Sequence, residues 1–184
     1  MLLAFADDIG AIGKNTVGIK ESFLKIKKES QRVGLKINEE KTKYMHVARN
    51  PLRDRVRQNV TMDTYNFESV QKFKYLGAFI TSNNDMTEEI KARIQSGNRC
   101  FFSLQPLMKS KTLSRTSKIR IYQTIIKPVV CYGCETWTLT KHNELLLQRF
   151  ERKILRKIFG PIQDPTTGQY RIRTTAELET LHHT

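Results

Sequence analysis

Residues 2–13, LLAFADDIGAIG, place two adjacent carboxylates, Asp7 and Asp8, between two short apolar runs. Such runs on either side of a polar break predict two β-strands around a turn, with Gly10 and Gly13 interrupting the second run. Like charges at this bend repel each other, and a bound divalent cation would remove that cost. An isolated Asp-Asp pair is more often a solvated turn, so the rest of the sequence has to decide.

The 184-residue chain carries a large excess of positive charge. Lysine and arginine number 32 against 18 acidic residues, which gives a net charge of +14. A surplus of this size attracts polyanions, so we expect contact with nucleic acid. The alternative is a basic surface without a specific partner. The hydrophobic fraction of 39% fits a globular protein that is rather polar.

Cysteine usage and hydropathy restrict the compartment. The three cysteines, Cys100, Cys131 and Cys134, imply no disulfide framework and favour a reducing environment. No apolar run approaches the roughly 20 residues that a membrane span needs. Residues 1–5 lack the basic start and the cleavage site of a signal peptide. We expect an intracellular protein, nuclear or cytoplasmic, with no membrane partner.

Residues 1–83 combine predicted strands with one predicted helix. The helix is expected to begin at Asn15 or Thr16 and to stop at Gly34. Residues 49–59 are rich in arginine and predict an exposed basic loop. Further strands are expected at residues 35–38, 42–48, 60–67 and 73–81. We expect the last two of these to pair with each other.

Residues 84–160 show helical periodicity throughout. Three helices are expected, beginning near Asp85, Ser114 and Thr140, and the last is expected to end at Gly160. The first of these starts has the spacing of a capping box. Their apolar stripes predict a packed helical unit.

The order of elements predicts an α+β fold with a boundary near residue 83. Residues 1–83 form the part with strands, and residues 84–160 form the helical part. Residues 161–184 are polar after their first proline, and we expect them to be a poorly ordered tail.

Four motifs together resemble one protein family. FADD at residues 5–8 resembles palm motif C of reverse transcriptases, and GLKINEEKTK at 34–43 looks like the next palm motif of LINE-type enzymes. FKYLG at 73–77 resembles the primer-grip hairpin, and YGCETW at 132–137 is similar to the thumb region of endonuclease–reverse transcriptases. All four stand in the family's order from residue 2 to about residue 160. The chain thus resembles the partial palm and helical thumb of a non-LTR retrotransposon reverse transcriptase.

The resemblance implies roles for individual residues. Asp7 matches a metal-binding carboxylate, and Asp8 matches the neighbour that helps to hold the Mg²⁺ ions; Asp8 could instead be a plain turn residue. Lys41 matches a lysine thought to protonate the pyrophosphate leaving group, which would be general acid catalysis. Lys41 could equally be an exposed turn lysine, and Lys43 is a competing candidate.

The resemblance also implies nucleic-acid contacts. The primer-grip candidates are Phe73, Lys74, Tyr75, Leu76 and Gly77. Basic side chains on two helices would contact phosphates of the template–primer duplex; these are Lys118, Arg120, Arg149, Arg152, Lys153, Arg156 and Lys157. The alternative for the hairpin is plain strand packing, which we expect of Phe73 and Leu76 in either case. The alternative for the helices is a solvated basic face.

The implied activity is that of an RNA-directed DNA polymerase. Its partners would be an RNA template, a DNA primer and dNTPs, and two Mg²⁺ ions would clamp the reacting oxygens. The family also needs an earlier aspartate and the fingers, which these residues do not supply. We therefore expect weak or no Mg²⁺ binding and no activity by this chain alone. The alternatives are a noncatalytic basic nucleic-acid-binding remnant and a domesticated protein-interaction module.

Two further side-chain groups allow two interpretations each. Cys131 and Cys134, followed by His142, suggest zinc, but a structural site needs a fourth ligand, and core packing between helices is the favoured interpretation. Trp137 could stack on a base, although a single tryptophan among helices favours core packing.

Overall fold

A computed structural model describes residues 1–47 and 59–182. The chain divides into two compact units, Met1–Asp85 and Met86–Thr184. The division falls close to the boundary expected near residue 83. The predicted basic loop at residues 49–59 lies, except for its last residue, outside the described part of the chain.

Unit 1 combines short strands with one long helix, α1, at Thr16–Arg32. Within the described residues its strands are β1 Leu2–Phe5, β2 Asp8–Ala11, β3 Lys43–Tyr44, β4 Val60–Met62, β5 Tyr65–Ser69, β6 Lys72–Tyr75 and β7 Ala78–Thr81. The Asn15 side chain caps α1 by accepting a hydrogen bond of 2.8 Å from the Gly18 amide, as the sequence predicted.

Three antiparallel hairpins make up most of unit 1. β1 pairs with β2, β4 with β5, and β6 with β7, and β3 joins β5 in parallel. The first pairing confirms the hairpin predicted for residues 2–13. The stretches 60–67 and 73–81 were expected to pair with each other, and that expectation was wrong. Each region folds back on itself because a two-residue loop with positive φ at its first position interrupts it, at Asp63 and at Leu76.

The segment after α1 contains less strand than predicted. Residues 35–38 form no strand, and of residues 42–47 only Lys43–Tyr44 does. The reason is a turn at Asn38, whose side-chain oxygen accepts from the Lys41 amide at 3.0 Å and whose carbonyl accepts from the Thr42 amide at 3.0 Å. An asparagine that bonds the following backbone competes with strand pairing.

The core of unit 1 is small and aromatic. Phe23 of α1 meets the rings of Tyr65 and Phe67 edge-on, at centroid distances of 5.6 and 5.1 Å. Tyr44 and Met62 complete the buried cluster. Edge-to-face contacts of this kind add to the burial of the rings and attach α1 to the β4–β5 hairpin.

Unit 2 is mostly helical, and α6 is its longest helix. The helices are α2 Thr87–Ser103, α3 Gln105–Lys109, α4 Arg115–Ile121, α5 Lys127–Cys131, α6 Lys141–Phe159 and α7 Thr175–His182. Ser114 and Thr140 cap α4 and α6 with their side chains, and Gly160 ends α6, all as predicted. Helix α2 begins close to the predicted start near Asp85, but the predicted capping box does not form, because Met86 precedes α2 and provides no side-chain cap.

The helices α2 and α6 pack side by side and run parallel. Thr87 contacts Asn143 near their first turns, and Lys153 of α6 donates to the side chain of Asn98 farther along, at 3.2 Å. Gly97 leaves room for this packing, since a β-carbon there would lie 2.8 Å from Cζ of Phe150. Around this contact lies the main core of the unit.

Residues 161–182 contain a short hairpin and a helix, whereas the sequence predicted a poorly ordered tail. A short hairpin, β8 Ile162–Gln163 with β9 Tyr170–Arg171, leads into α7. Leu178 of α7 is only 1% exposed and belongs to the main core. Thr174 and Glu177 form a reciprocal capping box, with bonds of 2.8 and 3.3 Å, that starts this helix.

Candidate active-site hairpin and nucleic-acid interface

The β1–β2 hairpin holds both acidic candidates at its bend. Phe5 pairs with Asp8, so Ala6 and Asp7 form the two-residue loop. Ala6 has a φ of +51°. This conformation is unfavourable in free energy for any residue that has a β-carbon. Both carboxylates are exposed. The placement agrees with the predicted turn and leaves the two side chains open to a ligand.

The Tyr75 side chain of the β6–β7 hairpin lies beside the acidic hairpin. A β-carbon at Gly10 would lie 3.7 Å from the hydroxyl oxygen of Tyr75. Strand residues two apart share a face, so Gly10 lies on the same face of β2 as Asp8. The structure thus places Tyr75 of the FKYLG motif beside the strand that carries Asp8.

The β6–β7 hairpin has a tight loop. Leu76 and Gly77 form it, with φ values of +47° and +84°, as in a type I′ turn. Phe73 and Tyr75 are half-buried, whereas Lys74, Leu76 and Gly77 are exposed. The exposed tip is accessible to a partner, and the half-buried side chains serve packing.

The two lysine candidates differ in their surroundings. Lys41 is exposed in the turn that Asn38 organises. Lys43 lies on β3 and forms an ion pair with Glu68 at 2.6 Å. An engaged ammonium group is held in place, so Lys41 is the more accessible of the two.

The acidic hairpin provides part of a cation site. Two carboxylates are oxygen ligands of the kind that Mg²⁺ uses, but an octahedral ion needs several more. Among residues 1–47 and 59–182, no three His, Cys, Asp or Glu side chains cluster as a metal site would require. The described residues therefore fit a partial site at most.

Helix α6 carries a continuous basic face. At 3.6 residues per turn, its five predicted basic residues occupy one side of the helix, opposite the buried side chains; they are Arg149, Arg152, Lys153, Arg156 and Lys157. The one acid between them in sequence, Glu151, lies on the core side and accepts a hydrogen bond of 3.0 Å from the Tyr122 hydroxyl. No acidic side chain of α6 interrupts the basic face.

The members of this face are not equally available. Arg149, Lys153 and Lys157 are exposed, and the Lys157 ammonium also lies 5.1 Å from the ring centroid of Phe101. Arg152 is half-buried. Arg156 is half-buried too, and its Nε donates to the carbonyl of Arg173 at 3.2 Å. The exposed three are the better candidates for phosphate contact.

The two basic candidates on α4 have different surroundings. Lys118 is half-buried, and its ammonium donates to the carbonyl of Ser110 at 2.7 Å, which ties α4 to the end of α3. Arg120 is exposed. The contact gives Lys118 a structural role in addition to any role in binding.

The cysteines and the tryptophan lie at the margin of the helical core. Cys131 is half-buried, and burial, with Cys134 next to it, raises the pKa of its thiol. Cys134 is exposed, so the expectation of core packing was wrong for that residue. Trp137 is half-buried. The predicted zinc alternative gains no support, because the described part of the chain brings no third ligand to the pair.

Sequence reasoning overlooked two features of unit 2. Phe102 is 71% exposed on α2, directly after the buried Phe101. Adjacent phenylalanines point in different directions on a helix, which was a usable signal. The other feature is the capping box of α7, which the sequence Thr174-Thr175-Ala176-Glu177 spells out.

Comparisons with known proteins give one informative match. The chain is 30% identical over 141 residues to a putative uncharacterized transposon-derived protein of Caenorhabditis elegans, and the match covers 76% of this chain. The chain spans about half of that relative's length, 49%. No protein-family profile and no solved structure matches the chain. The similarity supports a transposon-derived origin. In the described parts of the chain, none of the helices combines the length and apolarity of a membrane span.

Proposed function

We propose that the chain is the palm and thumb part of a reverse transcriptase from a non-LTR retrotransposon. The observation that carries the proposal is the pair Asp7 and Asp8 at the bend of the β1–β2 hairpin, with Tyr75 of the β6–β7 hairpin beside β2. A transposon-derived relative adds support for the origin. In this proposal Met1–Asp85 corresponds to the palm and Met86–Thr184 to the thumb.

Each motif then has a task in DNA synthesis on an RNA template. Asp7 and Asp8 would hold Mg²⁺, which in the intact enzyme stabilises charge on the attacking and leaving oxygens. Lys41, exposed in its turn, would donate a proton to the leaving pyrophosphate. The exposed tip at Leu76 and Gly77 would hold the primer end. A third carboxylate and the nucleotide pocket would come from residues outside these 184, so the chain alone is expected to bind Mg²⁺ weakly.

Primer extension tests the polymerase proposal. The chain would be combined with a segment that carries the family's earlier catalytic aspartate and fingers, and extension of a DNA primer on an RNA template would be measured. Asp7→Ala is expected to abolish extension while leaving hybrid binding intact. Asp63→Asn is a matched control, because Asp63 occupies the corresponding loop of the β4–β5 hairpin. Full activity of Asp7→Ala would refute the proposal.

A second candidate function is noncatalytic binding of nucleic acid. It is favoured by the uninterrupted basic face of α6 and by the net charge of +14. Binding of an RNA–DNA hybrid should then weaken steeply with salt, as counterion release requires. Failed complementation together with a steep salt slope would favour this second function. An affinity that hardly changes with salt would count against both.

A further inference from the structure

An exposed phenylalanine lies beside the basic face of α6. Phe102 lies one helical turn after Asn98 on α2, so their β-carbons are about 5–6 Å apart. The side-chain oxygen of Asn98 in turn accepts a hydrogen bond of 3.2 Å from the Lys153 ammonium. The Phe102 ring is therefore on the side of α2 that adjoins α6, and 71% of the residue is open to solvent.

The α6 side of this area has a regular row of cations. Arg149, Lys153 and Lys157 are spaced by four residues each, which is about 6 Å along the helix axis. The acids of α6 lie elsewhere, and Lys157 also covers the buried Phe101 next to Phe102. We call the side chains of Asn98, Phe102, Arg149, Lys153 and Lys157 the Phe102 surface.

We propose that the Phe102 surface binds single-stranded nucleic acid, with one base stacked on the Phe102 ring and phosphates at the row of cations. The charge of the row is complementary to a phosphate backbone. An exposed ring favours a single strand over a duplex, because the bases of a duplex are already stacked on each other. The inference rests on the proposed nucleic-acid contact of α6, but it does not need Asp7 or Asp8.

Fluorescence anisotropy of the whole chain with two ligands tests the inference. The ligands are labelled oligouridine and an RNA–DNA hybrid of equal length. Phe102→Ala is expected to weaken oligouridine binding about fivefold to a hundredfold, the range for one lost stack, and to leave hybrid binding nearly unchanged. Phe102→Trp should restore binding. Tyr170→Ala, which removes another highly exposed ring of unit 2, is the matched control and should change neither affinity.

The salt dependence tests the row of cations separately. Lys153→Gln should reduce the slope of log affinity against log salt for oligouridine by about 0.7, the value for one phosphate contact on a single strand. Unchanged oligouridine binding by Phe102→Ala, or equal losses for both ligands, would overturn the inference. Loss of primer extension in Asp7→Ala alongside unchanged binding by Phe102→Ala would overturn this inference and spare the polymerase proposal. Full primer extension by Asp7→Ala alongside weaker oligouridine binding by Phe102→Ala would refute the polymerase proposal and support this inference.

Discussion

The hydroxyl group of Tyr75 lies beside Gly10 and so joins the β6–β7 hairpin to the strand that carries Asp8. The space at position 10 is limited but not closed, since a β-carbon there would keep an ordinary contact distance of 3.7 Å from the hydroxyl oxygen. A side chain with more than one carbon would extend into the space that Tyr75 occupies. A large residue at position 10 is therefore expected to push the two hairpins apart.

Substitutions at Gly10 should distinguish a single β-carbon, which fits beside Tyr75, from a larger side chain, which does not. Gly10→Ala is expected to change the stability of unit 1 by less than about 0.5 kcal/mol. Gly10→Leu is expected to displace Tyr75 and cost about 1–3 kcal/mol, as overpacking does. Amide hydrogen exchange in β2 and β6 would measure both. Equal protection of these amides from exchange in Gly10→Ala and Gly10→Leu would show that Tyr75 does not limit the size of the side chain at position 10.

Leu76 should be a strained residue whose replacement stabilises its hairpin. A type I′ turn favours asparagine followed by glycine, and Leu76 adopts the positive φ of the first position. Leu76→Asn is expected to stabilise the β6–β7 hairpin by about 0.5–1 kcal/mol, a fraction of the usual strain cost. Amide exchange would measure the gain, and Leu76→Ala, which keeps the strain, should show none.

Under the proposed function, the same substitution should harm activity. Leu76 lies at the exposed tip expected to hold the primer. Leu76→Asn should therefore lower primer extension while it raises stability. A variant that gains both stability and activity would remove Leu76 from the primer grip.

Gly97→Ala should destabilise unit 2. A β-carbon at this position would collide with Val130 of α5 and lie 2.8 Å from Cζ of Phe150 on α6, so α2 would have to move away from both helices. We expect a loss of about 1–3 kcal/mol. Urea unfolding followed by fluorescence would measure it, because the chain's single tryptophan, Trp137, belongs to unit 2.

A control on the same helix makes this result specific. Gln95→Ala changes an exposed position and should shift stability by less than about 0.5 kcal/mol. At a helix position without close neighbours, alanine normally gives a stability about 0.5–1 kcal/mol higher than glycine. A stabilising Gly97→Ala would therefore show that α2 does not approach α5 and α6 closely.

The stability of the segment that contains α7 should decrease at low pH because of Glu177. The Arg171 guanidinium donates to both of its carboxylate oxygens, at 2.6 and 3.0 Å, and with the Thr174 amide lowers the pKa of Glu177 to about 2. A lowered pKa in the folded state contributes stability above the ordinary value of 4.5. That contribution is lost as the pH falls from there towards 2.

Thermal unfolding of unit 2 across this pH range would measure the effect. Glu177→Gln should flatten the pH dependence between 4.5 and about 2 relative to the parent chain. Arg171→Met should flatten it too, because it removes the main cause of the pKa shift. An unchanged pH dependence in both variants would mean that the pair does not form in solution.

Local chemistry made several elements predictable. The caps at Asn15, Ser114 and Thr140 and the stop at Gly160 each act within one helical turn. The acidic bend between β1 and β2 was predictable for the same reason. Pairing between strands was not predictable in this way. Residues 60–67 and 73–81 could pair with each other or fold back on themselves, and the turn within each region determines which pairing forms.

The sequence by itself determined the acidic bend, the basic charge and the periodic helices, since each follows from residue types a few positions apart. Tertiary structure alone decided that Tyr75 lies beside Gly10, that Arg156 is held by a backbone carbonyl, and that Lys153 meets Asn98 while Phe102 remains exposed. The physical reason is that exposure and contact depend on which helix face another segment covers. Residues 55 positions apart, such as Asn98 and Lys153, meet only when the chain has folded.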